Sequence, residues 1–117
     1  MRRGDVVIVE FPYVDGGRGK NRPALVVQND RDNERLANTV VAMISGNIRH
    51  AAESTQLLVD PDSPNGASSG LHGKSVVKCV NLFTVAQVDI IRVVGHLSDE
   101  LLQQIDACLM SALGLQG

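Results

Sequence analysis

Short runs rich in β-branched residues, each ended by a turn, leave this chain few folds to choose from. They span Asp5–Phe11, Ala24–Gln28, Thr39–Ser45, Glu53–Val59, Ser75–Val80 and Ile90–Leu97. Glycine, proline, asparagine or aspartate separates them, as strand boundaries require. Residues 30–36 can form one short turn of helix, with Asn29 or Asp30 as its cap. Only at the end does the period change. Ser98 can cap a helix whose Leu101, Leu102, Ile105, Leu109 and Leu113 share a face, and Gly114 can stop it. Without a repeated strand–helix unit, a parallel nucleotide-binding sheet is excluded. The pattern predicts a mainly β, α+β fold, a twisted antiparallel barrel-like sheet with a C-terminal helix. The stripe at 101–113 is expected to pack on that sheet or on a partner.

A chain of 117 residues fits one domain, 1–117, able to bury about two-thirds of its unfolded surface. It holds no apolar run of about 20 residues, so no transmembrane helix is expected. Cys79 and Cys108 stand far apart without metal-ligand spacing and read as reduced thiols in a cytoplasmic protein. The formal charge is −2 but uneven: residues 1–50 carry eight Lys/Arg against six Asp/Glu, and residues 51–117 three against seven. Aromatic content of 3% leaves no stacking platform of the kind non-specific single-strand binders use.

The stretch Asn21-Arg22-Pro23-Ala24-Leu25-Val26-Val27-Gln28-Asn29 places a cation immediately before a proline. The residue before a proline is pushed out of the helical region, and a strand can begin at a proline because its first residue needs no donor. Arg22 is therefore expected at the mouth of a buried strand, behind the glycine-rich loop 12–21 with Arg18 and Lys20. That loop reads as a flexible cover over an anionic ligand. Gly17-Arg18-Gly19-Lys20 and Gly70-Leu71-His72-Gly73-Lys74-Ser75 both lead into strands, which is the wrong geometry for a P-loop. His50, His72 and His96 share no metal-ligand spacing, and no strand-to-helix elbow presents a serine nucleophile. What remains is a set of cations and hydrogen-bonding groups at strand ends: Arg22, Ser45, Asn47, Arg49 and Lys78. Such a set suits phosphodiester chemistry without metal or cofactor. Arginine binds phosphate oxygens through a planar fork, stays charged, and can neutralise charge developing on phosphorus.

Four blocks give the chain a family likeness. They are Arg3-Gly4-Asp5-Val6-Val7, Arg22-Pro23-Ala24-Leu25-Val26-Val27 with Asn29, Ile44-Ser45-Gly46-Asn47-Ile48-Arg49, and Ser75-Val76-Val77-Lys78-Cys79 through Thr84. With Leu97-Ser98-Asp99-Glu100 leading into the helix, the chain resembles the MazF/PemK family of type II toxin–antitoxin ribonucleases. The resemblance implies an SH3-like barrel acting as a homodimer. It implies metal-independent cleavage of single-stranded RNA at short sequences by attack of the 2′-OH, leaving 2′,3′-cyclic phosphate and 5′-OH ends. It also implies a cognate antitoxin whose acidic tail fills the RNA groove, and DNA binding together with that antitoxin.

Position by position, Arg22 matches the family's catalytic arginine, and Ser45 stands where a catalytic threonine is usual. Lys78 stands where one branch has an arginine proposed as general acid. Arg18, Lys20, Asn47, Arg49, Asn81 and Thr84 are the implied RNA contacts. Val80 replaces an aspartate proposed as base in that branch, and a valine accepts no proton. Phe83 replaces an arginine common before Thr84. The base is thereby unassigned, with Glu10 and His50 as remaining candidates. Two further readings stay open: a CcdB-like toxin that binds DNA gyrase, with its critical residues on the C-terminal helix, and an inactive family member that only binds antitoxin or DNA.

Overall fold

The computed structural model describes residues 1–11 and 19–115. Its strands are β1 (Asp5–Phe11), β2 (Lys20–Val26), β3 (Asn38–Ser45), β4 (Gln56–Val59), β5 (Ser75–Ala86) and β6 (Arg92–His96). They form an antiparallel sheet in the order β4-β5-β3-β2-β1-β6. Helix α1 (Asp30–Arg35) joins β2 to β3, and α2 (Asp99–Leu113) closes the chain. β3, the most apolar run, lies inside the sheet, as an interior strand buried on both faces should.

The two faces are buried in different ways. One carries Val6, Leu25, Ala42, Ile44, Leu57 and Val77 under Leu101, Ile105 and Cys108 of α2. The helical stripe packs on its own sheet through Leu101, Leu102, Ile105 and Leu109, while Leu113 at its end is 57% exposed. Ser98 caps α2 by accepting from the Leu101 amide at 3.2 Å, and Gly114 ends it at φ 70°. The other face buries Val7, Val9, Ala24, Val26 and Val41, and among the described residues no helix lies on it. A sheet hides such a face only by curling on itself, and Phe11 meets Phe83 edge-on at 4.9 Å between ring centroids. The result is a curled half-barrel with β4 and β6 as its edges, the barrel-like expectation in open form.

Several boundaries depart from the sequence reading. β2 begins at Lys20, before the proline. Pro23 sits inside the strand, opposite Ile8 of β1, while pairing with β3 starts only at Ala24. The proline thus occupies the stretch that is an edge on the β3 side, where a missing N–H breaks no ladder bond. β4 begins at Gln56 because residues 53–56 form a turn, with the Gln56 amide on the Glu53 carbonyl at 3.1 Å. β5 runs to Ala86 rather than Val80, through a register shift opposite Ala42 and Met43. The short helix is capped by Asn29, whose Oδ1 accepts from the Asp32 amide at 2.9 Å.

Loop 60–74 is a chain of turns seated against the β6 edge. Ser68 exchanges two hydrogen bonds with His96, its carbonyl accepting at 2.9 Å and its hydroxyl donating at 2.7 Å. Gly70 and Gly95 permit the close approach: a Cβ on Gly70 would lie 2.1 Å from the Val94 carbonyl oxygen, and one on Gly95 2.3 Å from Ser69.

Candidate active site

Strand register decides which candidates meet. Side chains alternate between faces with period two. Arg22 is opposite Val9, Ser45 opposite Val76, and Lys78 opposite both Met43 and Gln56. Val9 and Met43 belong to the curled face, so Arg22, Ser45 and Lys78 all project from it. They also share one end of it. The N-terminal half of β2, the C-terminus of β3 and the start of β5 lie side by side. Continuing the β2–β3 register past Ala24–Met43 sets Arg22 across from Ser45. The apolar series Val26–Ala24 and Val41–Met43 gives way there to a cation and a hydroxyl, both half-buried, with a half-buried lysine on the next strand.

Local bonds fix the Ser45 turn. The Asn47 amide donates to Ser45 Oγ at 3.1 Å, and the Arg49 amide donates to Asn47 Oδ1 at 3.2 Å. Asn47 is thereby a turn-former as well as a candidate contact, and Arg49 is exposed beside it. Lys20 is exposed at the start of β2, opposite Phe11. Asn81 lies in the irregular part of β5, with Nδ2 3.9 Å from the Met43 sulfur, which turns it toward the same face. Thr84 pairs with Val40 and alternates to the other face, away from the three central residues. Arg18 lies outside the described residues.

Neither remaining base candidate sits with them. Glu10 alternates with Val9 to the opposite face of β1, and His50 is exposed 3.7 Å from Glu53. The cross-strand partners of the three central residues are Val9, Val76, Met43 and Gln56, none of which can take a proton at neutral pH. Val80 is exposed, and Phe83, the other departure, fills the contact with Phe11. Among the described residues no group of three or more His, Cys, Asp or Glu could hold a metal ion.

Sequence reading missed Gln56. It is directly opposite Lys78, and its Oε1 is buried without a hydrogen-bond partner among the described residues. A buried unpaired acceptor is uncommon and marks the position across from Lys78 as one to test. Its sequence signal was weak, a polar residue alternating with Leu57 in a run read as beginning earlier.

Comparison with known proteins identifies the family and the fold. Residues 2–113 match the family described as PemK-like, MazF-like toxin of type II toxin–antitoxin system. The chain belongs to that family. It is 29% identical over 116 residues to Endoribonuclease EndoA of Bacillus subtilis strain 168, covering 98% of this chain and 96% of that protein. The Mycobacterium tuberculosis toxin MazF-mt6 superposes with a TM-score of 0.78 at 26% identity, over 97% of this chain and 99% of that one. A mycobacterial endoribonuclease solved with its cognate antitoxin shares the fold at a TM-score of 0.80 and 22% identity, covering 100% and 98% of the two chains. Among the described residues no helix is long and apolar enough to cross a membrane.

Proposed function

We propose that this chain is the toxin of a type II toxin–antitoxin pair and a metal-independent endoribonuclease acting on single-stranded RNA. The observation that carries the reading is the common placement of Arg22, Ser45 and Lys78 at one end of one sheet face, set by register on three adjacent strands. In the reaction the 2′ oxygen attacks the adjacent phosphorus, forming a P–O2′ bond as the P–O5′ bond breaks. The proton leaves the 2′-OH and one is delivered to the departing 5′ oxygen. Arg22 stabilises the charge gathering on the non-bridging oxygens. Ser45 Oγ can donate its proton to a phosphate oxygen while still accepting from the Asn47 amide. Lys78 protonates the leaving oxygen. The products carry a 2′,3′-cyclic phosphate and a 5′-OH. With no base on the neighbouring strands, the 2′-OH is acidified by the two cations around the phosphate, and water takes its proton.

The protein acts in the cytoplasm, where its RNA is. A cognate antitoxin neutralises it, and a second copy of this chain is its partner. Because the stripe of α2 faces its own core, the homodimer is assigned to other apolar surface. Val80, Val88, Ile91 and Val93 supply such surface on β5, β6 and the segment between them.

The test is incubation of purified protein with a long RNA in excess chelator. Discrete cuts with cyclic-phosphate ends, lost in Arg22→Ala, are expected. Intact RNA, or full cutting by Arg22→Ala, would overturn the reading.

A further inference from the structure

A pocket of about 350 Å³ opens at the same end of the sheet as Arg22 and Ser45, but on the other face. Its floor is Ile8, Pro23, Leu71 and Val94, and its charged lining is Lys74 and Arg92, with His72 beside them. Among the described residues no carboxylate lines it. The pocket is joined to the candidate active site through the backbone, because Pro23 and Gly46 line it and directly adjoin Arg22 and Ser45. Its outer wall is fixed in place. Residues 68–70 are held to β6 by the Ser68–His96 bonds and the Gly70–Val94 and Gly95–Ser69 contacts. Ser75 Oγ donates to the Gly73 carbonyl at 3.0 Å, securing the turn that carries Lys74. Among the described residues no atom lies within 4 Å of where a Cβ on Gly46 or Gly73 would stand, so side chains are missing where there is room for them.

We propose that this pocket is a subsite for one nucleotide flanking the scissile phosphate. The base lies on the apolar floor between the two glycines, and its phosphate is bound by Lys74 and Arg92. Apolar floor and cationic rim together match a planar ring bearing a phosphate. A strand leaving the Arg22–Ser45 end reaches this pocket by turning over the rim of the sheet. An acidic peptide would use the cations but leave the apolar floor unfilled. The proposal rests on the ribonuclease reading for its place in the reaction, but not for nucleotide binding itself.

The test titrates the full-length protein with the four ribonucleoside 5′-monophosphates, followed by amide NMR. Shifts are expected at Gly46, Gly70–Ser75 and Arg92–Val94 for at least one nucleotide, and they persist in Arg22→Ala. Affinity falls about tenfold or more in the Lys74→Ala/Arg92→Ala double variant, the loss of a charge-assisted contact. Both side chains are exposed, so the fold is kept. Gly73→Val, placed in open space, blocks the pocket to a similar degree. In cleavage of a long RNA, both variants raise KM about tenfold and leave kcat nearly unchanged, and the double variant flattens the salt dependence of binding by about 0.7 in log–log slope. Shifts confined to residues 20–24 and 43–47 would overturn the subsite. So would an unchanged KM in both variants, inorganic phosphate binding as tightly as any nucleotide, or tighter binding of a hexaglutamate peptide at the same amides. Nucleotide shifts in the pocket of a protein that leaves RNA intact would instead remove the ribonuclease reading and keep the pocket.

Discussion

Replacing Ser45 by alanine separates chemistry from architecture more cleanly than any other single change. Its hydroxyl has two possible tasks. Within the fold it accepts one hydrogen bond, from the Asn47 amide at 3.1 Å in an exposed turn. Water can replace that bond, so the stability loss is about 0.5–1 kcal/mol. For a domain of this size, that lowers Tm by about 2–5 °C. Toward the substrate the same hydroxyl donates to a charged phosphate oxygen, a bond of about 1.5–3 kcal/mol. Its loss lowers kcat/KM about 10- to 150-fold. The assay is single-turnover cleavage of a defined RNA in chelator at 25 °C, alongside thermal unfolding. Ser45→Thr keeps the oxygen and is expected to retain most activity. Ser45→Ala cleaving within about twofold of the parent, or Ser45→Thr falling as far as Ser45→Ala, would refute the assignment.

Other consequences concern the frame. Ile105→Ala empties a fully buried site between α2 and the sheet and should cost about 2–5 kcal/mol in denaturant unfolding. Ser98→Ala removes the α2 cap bond and should cost about 1 kcal/mol in the same assay. Burial, with the Cys108 thiol beside it, pushes the Cys79 thiol up from 9.0 to about 12. A thiol whose folded value is raised loses stabilisation as pH climbs through that interval, so stability should hold below pH 9 and decline toward pH 12. Alkylation of Cys79 at pH 8 should accordingly appear only with denaturant, and rapid labelling of the folded protein would contradict its placement. Asp30 is held below the ordinary carboxylate range chiefly by the Arg3 backbone amide, which donates at 2.6 Å. Its contribution is present at neutral pH and lost as pH falls below 3.8, so Asp30→Asn should narrow the stability gap between pH 7 and pH 3.

The sequence carried the strands and the final helix because their signals are local. The β-branched run Asp5–Phe11, period 3.6 after Ser98 and the glycine at 114 each state their own conformation. It misjudged features that depend on a neighbour. The extension of β5 past Val80 needs β3 beside it to absorb a register shift, and no run of side chains announces that. The loop 60–74 reads as turn chemistry throughout, yet its docking on β6 rests on glycines meeting backbone across about 25 residues of sequence. For the site, Arg22, Ser45 and Lys78 were legible as strand-end polar residues in an apolar chain. Gln56, Lys74 and Arg92 were not, because only pairing and loop docking bring them to the same end of the sheet.

Pro23 ties these observations together. A residue without an N–H cannot continue a ladder on the side where that group would point, and β2 joins β3 only from Ala24 onward. Arg22 and Ser45 consequently face each other where the two strands are no longer zipped. A fully paired sheet would hold opposite residues about 5 Å apart with backbone filling the space between. An unzipped end leaves room for a phosphate to sit between guanidinium and hydroxyl. The cation is still carried by a strand, since the β1 side pairs through Val9 and beyond, and strand placement keeps it oriented before substrate arrives. The same opening exposes the ring of Pro23 and the backbone at Gly46 to the opposite face, where the cationic pocket lies. One imino acid therefore accounts for three features: the start of the β2–β3 ladder, the position of the candidate catalytic arginine, and the passage from one face of the sheet to the other.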